Sequence, residues 1–183
     1  MESDASGSEL DRDARRLLLL RHAKSAWPDG VADHERPLAE RGRKAAPLMG
    51  EYMAREGVIP SLALVSDARR TQETWALVRN EILSPLICHD CPAIYEASAT
   101  AILAELRRIE PEFRTVLIVG HNPGLQDLAL TLAGSGNAEA MQAIADKYPT
   151  GALAVIDFAL PSWQAVSPGS GFLERFVKPR SLR

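Results

Sequence analysis

The sequence of 183 residues has no apolar run long enough to cross a membrane and no excess of basic charge. A membrane-spanning helix needs about 18 or more consecutive apolar residues, whereas the compact run Leu17–Leu20 is only four leucines. The polar first 16 residues lack the apolar segment of a secretory signal peptide. A formal net charge of −3 offers no basic stripe for nucleic acid. We therefore expect a cytoplasmic protein that binds neither membranes nor nucleic acid.

Cysteine is scarce, and its two copies, Cys88 and Cys91, stand together as Cys-His-Asp-Cys. A structural zinc site usually requires a second pair of ligands, and no such pair follows at a suitable spacing. A redox-active pair begins a helix after a strand, whereas here Pro92 follows the second cysteine. We interpret the pair as two reduced thiols near the end of a strand.

Several motifs that would indicate a cofactor are also missing. The sequence has no glycine-rich P-loop ending in Lys-Ser or Lys-Thr, and no cluster of carboxylates suited to magnesium accompanies the candidate site. The glycine pairs in 134–136 and 169–171 are too short for a dinucleotide fingerprint, and we predict that both are turns. We therefore expect a protein that uses no cofactor and no metal.

The remaining pattern alternates short apolar runs with helical periodicity. Strands are predicted at 17–20, 61–66, 86–88, 115–120 and 151–158, with a last edge strand at 171–177. Helices are predicted at 39–55, 71–83, 98–109, 125–133 and 138–147. This alternation predicts an α/β three-layer sandwich with a mostly parallel central sheet and helices on both faces. We expect one domain over residues 14–183 after a flexible tail at 1–13.

Three of the predicted buried strands are followed by groups that are or can become cationic. Arg21 and His22 end the first, Arg69 and Arg70 follow the second, and His121 follows the fourth. Parallel strands would bring these groups to one edge of the sheet, where ligands bind in open α/β folds. Cations that lie close together repel each other unless they hold an anion, and the arginine fork matches phosphoryl oxygens. The pattern favours metal-free phosphoryl transfer to a neutral histidine.

These residues also carry a resemblance to a known family. The stretch Leu20-Arg21-His22-Ala23 resembles the Arg-His-Gly/Ala signature of the histidine phosphatase superfamily, which has the phosphoglycerate mutase-like fold. Segments 66–74 and 119–123 resemble its second and third motifs. Segments 21–27, 33–38 and 173–180 are similar to bacterial phosphohistidine phosphatases of the SixA type.

The resemblance implies a role for each matching residue. His22 would be the nucleophile that becomes phosphorylated, and Arg21, Arg70 and His121 would bind and stabilise the phosphoryl group. In the family the arginine lies four residues after the serine that ends the second strand, which selects Arg70 over Arg69. Position alone leaves that choice open.

Four further residues are candidates for substrate binding. Asn122 begins a helix beside the predicted site and would orient it. Lys24 and Ser25 lie in the first loop, where they either contact phosphate or belong to a solvated surface. Larger relatives carry a glutamate general acid in an insertion after the second motif. The corresponding segment 86–98 is short here, and Glu96 is the nearby candidate.

The short segment and the missing lid favour a protein-borne substrate. Imidazole, with a pKa near ~6.5, leaves more easily than an alkoxide and needs less help from an acid. We therefore expect a phosphatase that removes phosphate from a histidine-phosphorylated protein. Two alternatives stay open: a phosphatase of small phosphorylated molecules, and a module that recognises phosphate without turnover.

Overall fold

The computed structural model describes residues 13–183, and in this range the chain forms one seven-stranded sheet and five α-helices. The strands are β1 (Ala14–Arg21), β2 (Leu62–Val65), β3 (Ile87–Asp90), β4 (Thr115–Gly120), β5 (Ala133–Gly136), β6 (Leu153–Ala159) and β7 (Gly171–Val177). The α-helices are α1 (Glu40–Arg55), α2 (Arg69–Arg79), α3 (Ala99–Arg107), α4 (Gly124–Leu132) and α5 (Ala138–Asp146). Short 3₁₀ turns lie at Asp33–Glu35, Pro92–Ile94, Trp163–Ala165 and Pro179–Leu182.

The strand order across the sheet is β3-β2-β4-β1-β6-β7-β5. The pairs β2–β3, β2–β4, β1–β4 and β5–β7 are parallel, and β6 runs antiparallel to both of its neighbours. Six strands therefore share one direction and β6 is reversed. The prediction of an α/β fold with a mostly parallel sheet is confirmed.

The four leucines of β1 show how the sheet is covered on both faces. Successive side chains on a strand point to opposite faces. Leu17 and Leu19 join one buried cluster, with residues of α3, α4 and α5, and Leu18 and Leu20 join the other, with residues of α1 and α2. All four are fully buried. A strand with helices on both sides reads as a continuous apolar run, which explains why the sequence shows no alternation here.

One edge of the sheet differs from the prediction. Residues 134–136, predicted as a turn, belong to β5, and β7 lies between β6 and β5 instead of at the edge. A Cβ on Gly136 would lie 2.4 Å from the carbonyl oxygen of Leu173. This strand pairs through its backbone at close approach, and its glycines leave no side-chain pattern from which the pairing could be predicted.

Two other predictions concern the N-terminal tail and membrane-spanning segments. Of the flexible tail predicted at 1–13, residues 1–12 lie outside the described range, so that prediction stays as it was. Between residues 13 and 183, no helix has the length and apolar character needed to span a membrane.

Strand register positions the ends of three neighbouring strands side by side. Arg21 at the end of β1 pairs with Gly120 at the end of β4, and Val119 of β4 pairs with Val65 of β2. The residues that follow these strands therefore emerge together at one edge. The reversed strand β6 begins at the same edge, since Leu20 pairs with Leu153.

Helix α1 packs against the backbone of the loop that leaves β1. A Cβ on Gly42 would lie 2.1 Å from the carbonyl oxygen of Lys24. The contact is with backbone, so the clash cannot be relieved by a side-chain rotation. Glycine at this helical position allows α1 to approach the loop that follows His22.

We expect Gly42→Ala to destabilise the protein by about 1–3 kcal/mol, although alanine is the better helix former by about 1 kcal/mol. Chemical denaturation measures the change. Glu51→Ala, at an exposed position of the same helix, is the control and should change stability by less than about 0.5 kcal/mol. A Gly42→Ala variant as stable as the wild type would contradict the close contact.

Candidate active site

The imidazoles of His22 and His121 meet where β1 and β4 end. Their ring centroids are 5.4 Å apart, and the His22 amide donates to the carbonyl of Gly120 at 3.1 Å. Both side chains are buried. The parallel register therefore brings together two groups that lie 99 positions apart in the chain (121 minus 22).

The ring of His22 is held by its own neighbour. Its Nδ1 lies 2.8 Å from the carbonyl oxygen of Ala23. A carbonyl only accepts, so Nδ1 carries the proton and donates it, and Nε2 keeps its lone pair. Burial, together with the charges of Arg21 and Arg70, lowers the pKa of His22 to about 4. The imidazole is therefore neutral at physiological pH, with Nε2 available as a nucleophile.

Arg70 lies in the first turn of α2 and is buried, yet four groups surround its guanidinium. Nη1 donates to the backbone carbonyl of Asp33 at 2.8 Å, and Nη2 lies 3.1 Å from Asp33 Oδ2. Nη2 also lies 2.7 Å from Glu96 Oε1 and 3.4 Å from His121 Nδ1. Two carboxylates thus balance a cation that is only 2% exposed.

The residue that follows β2, Ser66, orients the imidazole of His121. Its Nε2 lies 2.7 Å from the hydroxyl of Ser66. Because the Arg70 guanidinium can only donate, Nδ1 faces it as an acceptor and Nε2 carries the proton toward Ser66. Burial, together with nearby His22 and Arg70, lowers the pKa of His121 to about 3.

Arg21 lies beside the two imidazoles and has a buried donor without a partner among the described residues. Its Nη1 donates to the carbonyl of Tyr148 at 2.8 Å, in the loop that leads into β6. Its Nε is buried, and the described residues provide no hydrogen-bond acceptor for it. A buried donor without a partner is unfavourable unless a ligand supplies an acceptor.

The other candidate residues are placed around this centre. Glu96 lies against Arg70, with its Oε1 3.6 Å from His121 Nδ1. The Asn122 amide donates to Gln126 Oε1 at 3.2 Å, and its oxygen accepts from the Gln126 amide at 3.3 Å, so it caps the start of α4. Ser25 is buried, and its hydroxyl accepts from Arg36.

Lys24 points to a different part of the surface. It is exposed and lines a cavity of about 300 Å³ together with five other basic residues. The structure therefore brings the candidates Arg21, Arg70 and Glu96 next to the two histidines. It places Ser25 in a contact with Arg36 and Lys24 in a neighbouring cavity.

Sequence reasoning missed three residues that support the site. The Tyr95 hydroxyl donates to Asp33, and this bond, with the guanidiniums of Arg36 and Arg70, holds the Asp33 pKa well below its usual range. Thr74 is buried, donates to the Arg70 carbonyl at 2.7 Å and accepts from the Ala23 amide at 2.9 Å. Asp33 stood in a stretch that resembled the SixA type and Thr74 in the stretch that resembled the second motif, but neither was assigned a role, and Tyr95 carried no signal in the sequence.

The cysteine pair lies at the end of β3, where the Cys91 amide donates to the carbonyl of Val65 at 2.7 Å. Cys88 is exposed on the edge strand β3, Cys91 is buried after it, and both thiols are free. Burial raises the pKa of both thiols. Among residues 13–183, no three histidine, cysteine, aspartate or glutamate side chains are grouped so that they could hold a metal ion.

We expect the imidazoles of His22 and His121 to stay neutral far below pH 6.5, with midpoints at about 4 and about 3. His34 serves as internal control, since its carboxylate neighbours raise its pKa. A pH titration of the ring protons by NMR, with His34→Gln and His89→Gln for assignment, measures these midpoints.

The lowered pKa values of His22 and His121 also make the stability of the folded protein depend on pH. The unfolded chain takes up protons at these histidines near pH ~6.5, before the folded protein does, so stability falls as the pH drops below that value. Ring midpoints near 6.5 for both His22 and His121 would show that the two groups are not buried among cations.

Comparison with known proteins agrees with this geometry. Residues 17–96 match the model of the histidine phosphatase superfamily (branch 1). An uncharacterised protein of Mycobacterium tuberculosis is 37% identical over 163 residues, which cover 88% of this chain and 100% of that protein.

Two solved structures are similar over nearly the whole chain. One is a candidate phosphohistidine phosphatase SixA from Nakamurella multipartitia, with 26% identity, a TM-score of 0.77, and coverage of 91% of this chain and 96% of that one. The other is a candidate phosphohistidine phosphatase SixA from Agrobacterium tumefaciens, with 27% identity, a TM-score of 0.76, and coverage of 90% of this chain and 98% of that one. Together with the family match, they show that the chain belongs to the histidine phosphatase superfamily and has its phosphoglycerate mutase-like fold.

Proposed function

We propose that this protein is a metal-independent phosphatase that forms a phosphohistidine on His22 and releases phosphate from phosphohistidine in a protein. The observation that carries the proposal is the hydrogen bond from His22 Nδ1 to the Ala23 carbonyl at 2.8 Å. It leaves Nε2 unprotonated at the point where Arg21, Arg70 and His121 converge. A neutral imidazole held among cations is suited to attack an anionic phosphoryl group.

The reaction would proceed in two displacements at phosphorus. In the first, the lone pair of His22 Nε2 forms a bond to phosphorus as the bond between phosphorus and the substrate imidazole nitrogen breaks. The departing nitrogen keeps the bonding pair and takes a proton. In the second, water attacks phosphorus, loses a proton and releases orthophosphate, and the pair in the P–N bond returns to Nε2. The net reaction consumes phosphohistidine and water and yields histidine and phosphate.

The surrounding donors would stabilise the transferring group. The unused Nε of Arg21 is a buried donor, and Arg70 Nη2 would exchange part of its contact with Asp33 and Glu96 for phosphoryl oxygens. A bound dianion would also raise the low pKa of His121 and allow it to donate from Nδ1. Donors fixed before the reaction stabilise the transition state without reorganisation.

Two features support a protein-borne phosphohistidine. An imidazole leaving group needs little help from an acid, because its own pKa lies near ~6.5. The segment between β3 and α3 contains only the short turn Pro92–Ile94, so this segment adds no lid over the site, and an open site admits a side chain on a protein surface. The similarity to the two candidate SixA proteins points the same way.

The position of Glu96 favours a second candidate function, the hydrolysis of small phosphomonoesters. Its carboxylate lies 2.7 Å from Arg70 Nη2 and 3.6 Å from His121 Nδ1, at the mouth of the site. A carboxyl group there would be able to protonate an alkoxide as it leaves. An ester substrate would use this group, whereas a P–N substrate would depend on it little.

A comparison of substrates in the presence of a chelator tests the proposal. We expect a histidine-phosphorylated phosphocarrier protein to release phosphate much faster than a panel of phosphomonoesters that includes p-nitrophenyl phosphate. His22→Ala should lower turnover roughly 10⁴-fold or more, as expected when a covalent nucleophile is removed. His89→Ala, on the edge strand, is the matched control and should keep full activity.

Three results would overturn parts of the proposal. Full activity of His22→Ala would exclude the covalent intermediate, and loss of activity with the chelator would exclude metal independence. A clear preference for one small ester would favour the second candidate. Phosphate-dependent binding of the carrier without turnover would instead indicate a recognition module.

Substitution of Glu96 tests whether its carboxyl group acts as a general acid or only as an ion-pair partner of Arg70. If Glu96 protonates the leaving group of an ester, Glu96→Gln should slow ester hydrolysis by about 10²-fold or more and P–N hydrolysis far less. Asp33→Asn is the matched control, because Asp33 contacts the same Arg70 nitrogen at 3.1 Å. Equal losses for both variants and both substrates would show that Glu96 only positions Arg70.

A further inference from the structure

A cavity of about 300 Å³ opens beside the candidate active site and is lined mainly by basic residues. Its walls come from the loop after β1, from α1, from the loop before β6 and from the C-terminal turn. The lining residues are Lys24, Arg41, Ala45, Lys147, Pro149, Thr150, Lys178, Pro179, Arg180 and Arg183. Six of these ten carry a positive side chain, and none carries a negative one.

The cavity shares its wall with the end of β1. Lys24 stands two positions after His22 in the same loop. Gly151 follows the wall residues Pro149 and Thr150, and its amide donates to the carbonyl of His22 at 2.9 Å. A Cβ on Gly151 would lie 2.9 Å from the side chain of Pro179. One loop therefore packs against both the nucleophile's backbone and the cavity wall.

The cavity differs from the adjoining grooves because no carboxylate side chain lies among its basic residues. The chain as a whole has a net charge of −3. The adjoining grooves hold three carboxylates, of which Glu40 pairs with Lys44 at 3.0 Å and Glu174 pairs with Arg175, while Glu139 lies on α5. Like charges gathered in a concave site repel each other, and an anion relieves that repulsion.

We propose that this cavity is a second anion site that binds phosphate groups. Three of its six cations are arginines, whose planar forks match phosphate oxygens with two parallel hydrogen bonds. Its volume lies within the range of small-ligand pockets and suits a short chain of phosphates. The site does not include His22, Arg70 or His121, so binding there requires no turnover and does not rest on the proposed function.

The phosphate groups have two possible sources with the same chemistry. They belong either to a ligand whose other phosphate occupies the catalytic centre, or to a free polyphosphate that binds next to it. In the first case the cavity selects multiply phosphorylated substrates, and in the second it makes the enzyme responsive to polyphosphate.

Inorganic tripolyphosphate is the probe, and isothermal titration calorimetry on the full chain at low salt is the measurement. We expect one tripolyphosphate to bind, both to the wild type and to His22→Ala. The double variant Arg41→Ala/Arg180→Ala changes two exposed positions of the cavity. It should bind tripolyphosphate about tenfold or more weakly, equivalent to ~1.4 kcal/mol or more. Arg55→Ala/Arg108→Ala removes two exposed arginines elsewhere and should bind as the wild type does.

A second pair of substitutions protects the test against a folding defect. Lys147→Ala/Lys178→Ala should weaken binding in the same direction, and thermal unfolding checks that each variant is folded. Hydrolysis of p-nitrophenyl phosphate by Arg41→Ala/Arg180→Ala should equal that of the wild type if the wild type hydrolyses this ester.

The outcomes separate the proposal from its alternatives. Wild-type affinity in both cavity variants would overturn it, as would tighter binding of hexaglutamate than of tripolyphosphate, which would indicate a docking surface for an acidic protein. Where the proposal holds, tungstate bound at the catalytic centre distinguishes the sources. Exclusion of tripolyphosphate by tungstate indicates one ligand that spans both sites, and simultaneous binding indicates a separate site for free polyphosphate.

Discussion

The parallel pairing of β1 with β4 is the constraint on which the site depends. This pairing sets Arg21 opposite Gly120, and the residues that follow are the two imidazoles. A shift of one residue would move every buried leucine of β1 to the opposite face of the sheet. Both faces are apolar, so the charged residues that bound the leucine run, Arg16 and Arg21, limit the register, because a shift would carry one of them into the core. The packing of the core therefore determines the distance between His22 and His121.

The second constraint on the site is that a buried cation at this edge of the sheet needs carboxylate partners. Arg70 is almost completely buried and is hydrogen-bonded to Asp33 and Glu96. The Tyr95 hydroxyl in turn donates to Asp33. Removing one partner of a buried charge pair is strongly destabilising, so the arginine is tolerated because carboxylates accompany it. The same carboxylates occupy positions from which a phosphoryl group would displace them. The arrangement keeps the donors oriented before a substrate arrives.

The candidate active site and the proposed second anion site differ in how their positive charges are accommodated. At the candidate active site the positive charges are few: Arg70 is buried and paired with the carboxylates of Asp33 and Glu96, and Arg21 is half-buried beside it. In the adjacent cavity the charges are more numerous and mostly exposed, so water and salt screen only part of the repulsion that a bound anion would relieve. A buried centre suits chemistry on one phosphoryl group, whereas a wet, open cavity suits reversible binding of a longer anion. Both regions meet at the loop that precedes β6.

The sequence by itself determined the alternation of strands and helices, the buried character of β1 and β4, and the gathering of Arg21, His22 and His121 at one edge. These features follow from local apolar patterns and from the geometry of parallel sheets. Tertiary structure alone decided the edge pairing of β5, because glycine-rich backbone pairing leaves no side-chain pattern. It also decided that Thr74 links the Ala23 amide to Arg70, that Tyr95 and Asp33 hold the site, and that Lys24 joins a cluster of distant basic residues. Those contacts join segments far apart in the chain, and their distances depend on the packing of helices on the sheet, which no local pattern encodes.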